Sequence, residues 1–245
     1  MNTTYRHHLV ELGYSDMNWL NFKLKLGARY ECFDYNSFLY TAENQDYQVK
    51  PEGFISYFAR AHLETLDRRY FPSKGVSLQA DYSIYTDNFV TYKGHTFFSA
   101  LKLSFLSVLP LPSHLSLLPS IDGRVLIGKD PAYPFLNAVG GDMPERYLPQ
   151  QLPFAGINRM EIFDNSVAIV RLNLRQRIGQ RHYISLIANC AIHEDNFFDL
   201  FKGESVWGGS IGYAYNSMFG PMNTNFGLSN RNKNLQFYLN LGYSF

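Results

Sequence analysis

Charge is scarce in this chain. Asp, Glu, Lys and Arg make up 18% of its 245 residues, against roughly 25% in an ordinary soluble domain. The 22 Lys and Arg offset 21 Asp and Glu to leave +1, so no global field draws the protein to nucleic acid and such a partner is excluded. Cysteine is nearly absent. Cys32 and Cys190 are too few for a disulfide scaffold and lack the paired spacing of a zinc site, which leaves them as small apolar fillers. Long apolar runs are missing too: the best candidate, Phe97 to Leu118, is broken by Lys102, Pro110, Pro112 and His114. Nothing reaches the 18 or so uninterrupted apolar residues of a membrane helix, so a helical membrane protein is excluded. The segment Met1 to His8 has no basic stretch leading into an apolar one, so no secretory signal peptide is read there. The expectation is a cytosolic protein or a chain whose natural beginning lies elsewhere.

What is abundant is aromatic. Tyr (18) and Phe (20) dominate over Trp (2), and 46% of residues are hydrophobic, yet mean hydropathy is −0.22. The apolar residues must therefore be diluted rather than gathered, and alternation does this. A strand sends successive side chains to opposite faces. From Leu20, one parity reads Leu20, Phe22, Leu24, Leu26, Ala28, Tyr30 and the other Asn21, Lys23, Lys25, Gly27, Arg29, Glu31. Ala168, Val170, Leu172 and Leu174 likewise oppose Arg171, Asn173, Arg175 and Arg177. At the end, Leu235, Phe237, Leu239, Leu241, Tyr243 and Phe245 oppose Gln236, Tyr238, Asn240, Gly242 and Ser244.

Segments of this kind predict strands at 4–14, 20–35, 53–67, 76–88, 96–109, 115–128, 166–178, 182–194, 205–217, 221–230 and 235–245. The fold class is all-β, with successive antiparallel hairpins joined by polar or Gly/Pro-marked turns. Most segments exceed the usual soluble strand of about 5–6 residues and match the roughly 9–11 that cross a bilayer when tilted. A soluble sandwich and a transmembrane barrel both alternate. Strand length, aromatics near strand ends and the gathering of charge on one face favour the barrel, with apolar residues toward outer-membrane lipid.

Three places carry a family resemblance. Leu66-Asp67-Arg68-Arg69-Tyr70-Phe71-Pro72-Ser73-Lys74-Gly75 is similar to the Asp-rich, Phe-Pro-Thr-x-Gly hairpin of the bacterial surface antigen superfamily, which includes barrel-assembly insertases and two-partner-secretion transporters; Pro72 and Gly75 would set its turn. Gly209-Ser210-Ile211-Gly212-Tyr213, Ser217-Met218-Phe219-Gly220-Pro221 and the final Leu241-Gly242-Tyr243-Ser244-Phe245 look like its last three strands. Gly242, Tyr243 and Phe245 resemble the C-terminal signal read by the barrel-assembly machinery, a partner during biogenesis. Gly140-Gly141-Asp142-Met143-Pro144-Glu145-Arg146-Tyr147 occupies the place of a long loop folding into the lumen, expected over 129–165. The resemblance implies that Arg146 meets an inward side chain on a nearby strand. Asn189 stands at the likely Asp position, and Tyr147 where Gly is usual.

The runs from Gly140 through Gly156 and from Val170 to Arg175 most resemble the C-terminal barrel of Bacteroidetes-type patatin-like phospholipases, over roughly residues 20–245. That resemblance implies an upstream patatin domain, absent here, as partner, and a homodimer is compatible with it. The hydrolase serine pattern Gly-x-Ser-x-Gly occurs once, at Gly208-Gly209-Ser210-Ile211-Gly212. A nucleophile elbow needs a sharp strand-to-helix turn, whereas Trp207, Gly209, Ile211, Tyr213 and Tyr215 alternate straight through. No enzyme activity is expected of this chain. His7-His8 and His193-Glu194-Asp195 are adjacent on strands and face opposite ways, so no metal site and no cofactor are expected. Arg171, Arg175 and Arg177 share a face with Asn173; one reading is a basic lumen stripe for an anionic substrate, and the near-zero net charge favours the other, a water-facing ladder paired with acidic loops and inward carboxylates such as Glu64, Asp81 and Asp122.

About eleven strands fall short of that family's sixteen. The expectation is an N-terminally truncated barrel occupying 1–245, with a closed barrel of ten or twelve strands as the alternative. Three functions remain open: the outer-membrane barrel that anchors or translocates an upstream lipid hydrolase, an insertase or secretion pore of the same superfamily, and a soluble β-sheet protein that binds a ligand.

Overall fold

A computed structural model describes residues 3–38, 52–94, 96–143 and 148–242. Alternation is realised as a single antiparallel sheet of eleven strands. Its first six are β1 (Thr3–Trp19), β2 (Phe22–Phe38), β3 (Glu52–Glu64), β4 (Gly75–Thr86), β5 (Phe98–Leu111) and β6 (Leu115–Ile127). A long connection follows, carrying a 3-10 turn at Tyr133–Phe135 and three short strands, β7 (Asn137–Val139), β8 (Gln151–Leu152) and β9 (Ile162–Asp164), which form a small sheet of their own. The large sheet resumes with β10 (Ser166–Ile178), β11 (His182–Glu194), β12 (Glu204–Ser217), β13 (Gly220–Ser229) and β14 (Gln236–Leu241). β6 pairs directly with β10, so the connection is inserted between two neighbouring strands. Among the described residues β1 and β14 stand at the two ends of the order, and the sheet is not closed.

The eleven strands lie where alternation places them. The first is longer than its pattern, because the register slips between Tyr14 and Met17 and a bulge of this kind breaks parity without ending the pairing. Residues 65–67, read as strand, belong instead to the turn after β3.

The two faces meet different surroundings. Leu101, Leu103, Val170, Leu172, Ile184, Leu186, Ile211, Phe226, Phe237 and Leu239 are all exposed and alternate along strands that pair side by side. Monomeric soluble proteins rarely expose contiguous apolar patches beyond a few hundred Å², so a face of this kind spread over the sheet is suited to lipid. The opposite face is covered. Phe33 on β2 and Phe98 on β5 are three strand spacings apart, about 14 Å in a flat sheet, yet their ring centres lie 5.5 and 5.6 Å from that of Phe135 on the inserted segment. The sheet therefore curves around the insert, with its polar parity inward.

Antiparallel order sorts the connections. The turns after β1, β3, β5, β10 and β12 lie at one end of the sheet, and the insert and the 195–203 and 230–235 connections lie at the other.

Candidate functional site

The interior is built from inward residues of the large sheet and from the insert that fills it. On the β1–β6 side the inward parity is charged and largely paired. Glu11 receives Lys25 and two donors of Arg29, Nε at 3.1 Å and Nη2 at 2.8 Å. Arg60 Nε donates to Asp81 at 2.8 and 3.1 Å, and Gln79 donates to the same carboxylate at 2.9 Å. Cross-strand register places Lys25, Arg60, Asp81, Lys102 and Arg124 in one row across five strands. With His7, Arg29 and Glu31, residues of this row line a cavity of about 390 Å³.

Arg124 ends the row and begins the insert's attachment. Buried at 6% exposure, its Nη1 donates to the Phe135 carbonyl at 2.7 Å and to Asn137 Oδ1 at 2.6 Å. Asn137, with no exposed surface, returns its amide to the carbonyls of Arg124 at 3.0 Å and Asn165 at 2.8 Å. Arg124 Nη1 and both polar atoms of the Asn137 amide thus bond across the junction between strand and insert, which is what makes such burial tolerable. Beyond it Phe135 is held edge-on by Phe33 and Phe54 and packs against Tyr85 and Phe98.

On the β10–β14 side the insert lies directly on the strands. Val139, Leu152, Phe154, Ile157 and Ile162 form one apolar core with Val167, Ile169, Ala191 and Val206. Three consecutive insert residues are then fixed through their backbone. Ala155 exchanges two hydrogen bonds with Asn189, the Gly156 N–H donates to the Tyr238 hydroxyl at 3.2 Å, and that hydroxyl donates to the Ile157 carbonyl. Gly156 has φ +105°, and a Cβ there would sit 2.3 Å from the Leu228 carbonyl oxygen; only glycine accepts both conditions. Asp142 Oδ2 receives the amides of Asn225 at 2.8 Å and Asn240 at 2.6 Å, tying the insert to β13 and β14.

Arg146, expected to face Asn189, lies outside the described residues, as do Tyr147, Tyr243 and Phe245. Asn189 itself is 4% exposed and engages the Ala155 backbone. Asp142 and Tyr238 were not singled out by the sequence. Inward parity of Tyr238, Asn240 and Asn225 was the available signal, but their partners include backbone groups that carry no sequence identity.

The Asp67–Gly75 hairpin folds toward β10 and β11. Asp67 accepts the Ser73 N–H at 2.7 Å, the Ser73 hydroxyl at 2.6 Å and the Lys74 N–H at 3.3 Å. Burial opposes ionisation there, but the Ser73 and Lys74 hydrogen bonds outweigh it and hold the carboxyl down at about 2. Gly75 turns the chain at φ +113°. Phe71 stacks on Tyr183 with ring centres 4.2 Å apart and planes 6° from parallel, and Arg175 donates to the Pro72 carbonyl. Gly242 donates its N–H to the Pro221 carbonyl at 3.0 Å, just past β14.

Ser210 sits mid-strand in β12, paired with Ile187 and Gly227, not at a strand-to-helix turn. His193 Nδ1 lies 2.8 Å from Asp164, and His7 stacks on Phe33 beside Glu31. Among the described residues no three His, Cys, Asp or Glu side chains converge as metal ligands.

A family model described as the OMP85 superfamily matches residues 14–245. No curated protein matches the chain. Among solved structures, the crystal structure of BamA from Haemophilus ducreyi lacking POTRA domains 1-3 superimposes with a TM-score of 0.73 at 12% identity, covering 96% of this chain and 54% of that one. At that identity the likeness is one of fold, and this chain spans about half the length of the other.

Proposed function

The chain belongs to the OMP85 superfamily, and from that premise we propose that it is the outer-membrane barrel portion of a larger protein, acting as a scaffold and not as an open channel. The insert carries this reading. Its backbone at residues 155–157 is fixed to β11 and β14 and Phe135 is enclosed by β2–β5, so the interior is occupied by the chain itself. The outward apolar face meets lipid, and the end bearing the short turns faces the periplasm, as in other outer-membrane barrels. Among the described residues β1 and β14 are open edges, which lipid does not tolerate. Further strands from outside this chain would complete a barrel of sixteen.

The finer assignment is to the barrel of a patatin-like phospholipase, anchoring or translocating an upstream lipid hydrolase, either alone or as a homodimer. Its support is the resemblance of the insert between Gly140 and Gly156 and of β10 from Val170 to Arg175. A second reading, an insertase or secretion pore, is favoured by the likeness of fold to BamA.

Full-length protein separates the two. As a phospholipase barrel it releases fatty acid from phospholipid vesicles, fractionates with the outer membrane, and leaves other outer-membrane proteins at normal levels when depleted. Absence of acyl release together with loss of other barrels on depletion would reverse the choice.

A further inference from the structure

We propose that the short-turn end of the sheet carries a binding site for a phosphate-bearing anion, formed where the 65–74 hairpin folds onto β10 and β11. The hairpin is fixed there by the Phe71–Tyr183 stack and by the Arg175 bond to the Pro72 carbonyl. Between it, the turn after β5 and the end of β10 lies a cavity of about 250 Å³. Arg68, Lys74, Arg175 and Arg177 line it, and no carboxylate does.

This differs from the larger cavity on the β1–β6 side. In the larger cavity Arg29 and Arg60 face Glu31, Glu11 and Asp81 at ion-pair distance. At the short-turn end, Asp67 is the one acidic residue of the hairpin, and its oxygens are turned onto Ser73 and Lys74 N–H. Arg68 Nε reaches it only at 3.9 Å. Lys74, Arg175 and Arg177 have no carboxylate within ion-pair distance among the described residues. Arg177 donates to His114 Nδ1 at 2.9 Å, and its Nε is buried with no hydrogen-bond partner among the described residues.

Four cations, two from the hairpin and two from β10, repel one another when gathered in so small a space, and the arrangement leaves donors free. An anion relieves both conditions. Guanidinium forks and an ammonium suit the oxygens of a phosphate, and Ser116 adds a hydroxyl to the wall. The volume lies below the roughly 300–1,000 Å³ of pockets for drug-sized ligands. It accommodates a phosphate or a headgroup, not a long chain. A phospholipid headgroup and a free phosphate share this chemistry. The site does not depend on which upstream domain accompanies the barrel.

The test uses the full-length protein purified in neutral detergent at low salt, titrated calorimetrically with inorganic phosphate and, separately, with dihexanoyl phosphatidylglycerol, with dihexanoyl glycerol as the uncharged control. Binding of both phosphate probes supports a site open to free phosphate; binding of phosphatidylglycerol alone supports a headgroup site. In either case the double variant Lys74→Gln/Arg177→Gln weakens binding by about tenfold or more, as expected for lost charge-assisted hydrogen bonds, while Lys74→Arg retains it. Should the double variant not fold, Lys74→Gln alone still weakens binding about threefold or more. Failure of wild type to bind either phosphate probe, binding no tighter than that of dihexanoyl glycerol, or unchanged binding in the glutamine variants overturns the proposal.

Discussion

Asn189 and Ala155 pair reciprocally across the interior: the Ala155 N–H donates to Asn189 Oδ1 at 3.3 Å, and Asn189 Nδ2 donates to the Ala155 carbonyl at 3.2 Å. Both residues are buried, so a side chain on β11 substitutes for the strand partner that the insert's backbone lacks at this point.

Replacing Asn189 by Ala strands one buried donor and one buried acceptor, at about 1–3 kcal/mol each. Asn189→Asp keeps an acceptor for the Ala155 N–H but sets a carboxylate against the Ala155 carbonyl, so it should rescue little. Both variants should lower the temperature at which the full-length protein loses its compact gel mobility. A mobility transition unchanged in Asn189→Ala would show that the pair does not hold the insert.

Gly156→Ala should act more locally. Its φ of +105° and the 2.3 Å approach of a new Cβ to the Leu228 carbonyl strain the backbone by about 1–3 kcal/mol and push the insert off β13. Tyr238 then loses its backbone partners at residues 156 and 157. Limited proteolysis should reveal new cleavage near residue 156, with the strands still protected.

The eleven long strands were legible because two unlike surroundings enforce period two along each of them, lipid on Leu172 and its outward neighbours, insert and water on Asn173 and its inward ones. Alternation failed where it was interrupted, at the bulge between Tyr14 and Met17. It also failed in β7, β8 and β9, which are too short, at two or three residues, to display a period. The inward position of Asn189 could be read from parity. Its partner could not, since Ala155 contributes only backbone, and Asp142 sits in an irregular stretch where no period points it toward Asn225 and Asn240.

The outward face offers a test with a large expected effect. Leu172 lies at the middle of β10 and is exposed. Leu172→Arg should cost about 2–4 kcal/mol in a bilayer, the penalty for a lipid-facing arginine near the midplane, and Leu172→Ala much less. Reversible unfolding of the full-length protein in lipid vesicles measures both. Equal stability of Leu172→Arg and wild type would remove this face from the membrane.

The Asp67 turn should respond to acid in a defined direction. Its carboxyl is held at about 2 in the fold, below roughly 3.9 for an unfolded Asp. The stabilisation is therefore fully present above about pH 4, declines as the pH falls, and is lost once the pH passes through about 2. Hydrogen exchange at the Ser73 and Lys74 amides should accelerate over that window beyond the intrinsic trend. Asp67→Asn should abolish the extra acceleration.

The position of the insert along the chain bears on how the molecule assembles. It follows six strands and precedes five, so hairpins on either side can form from neighbouring residues at little loop-closure cost. The contacts that bind the halves together span far more chain: 81 residues separate Tyr238 from Ile157, and 103 separate Arg175 from Pro72. Such distant closures slow folding. The insert behaves as a mandrel on which local hairpins collect, and the last strands can lock only after residues 155–157 are already in place.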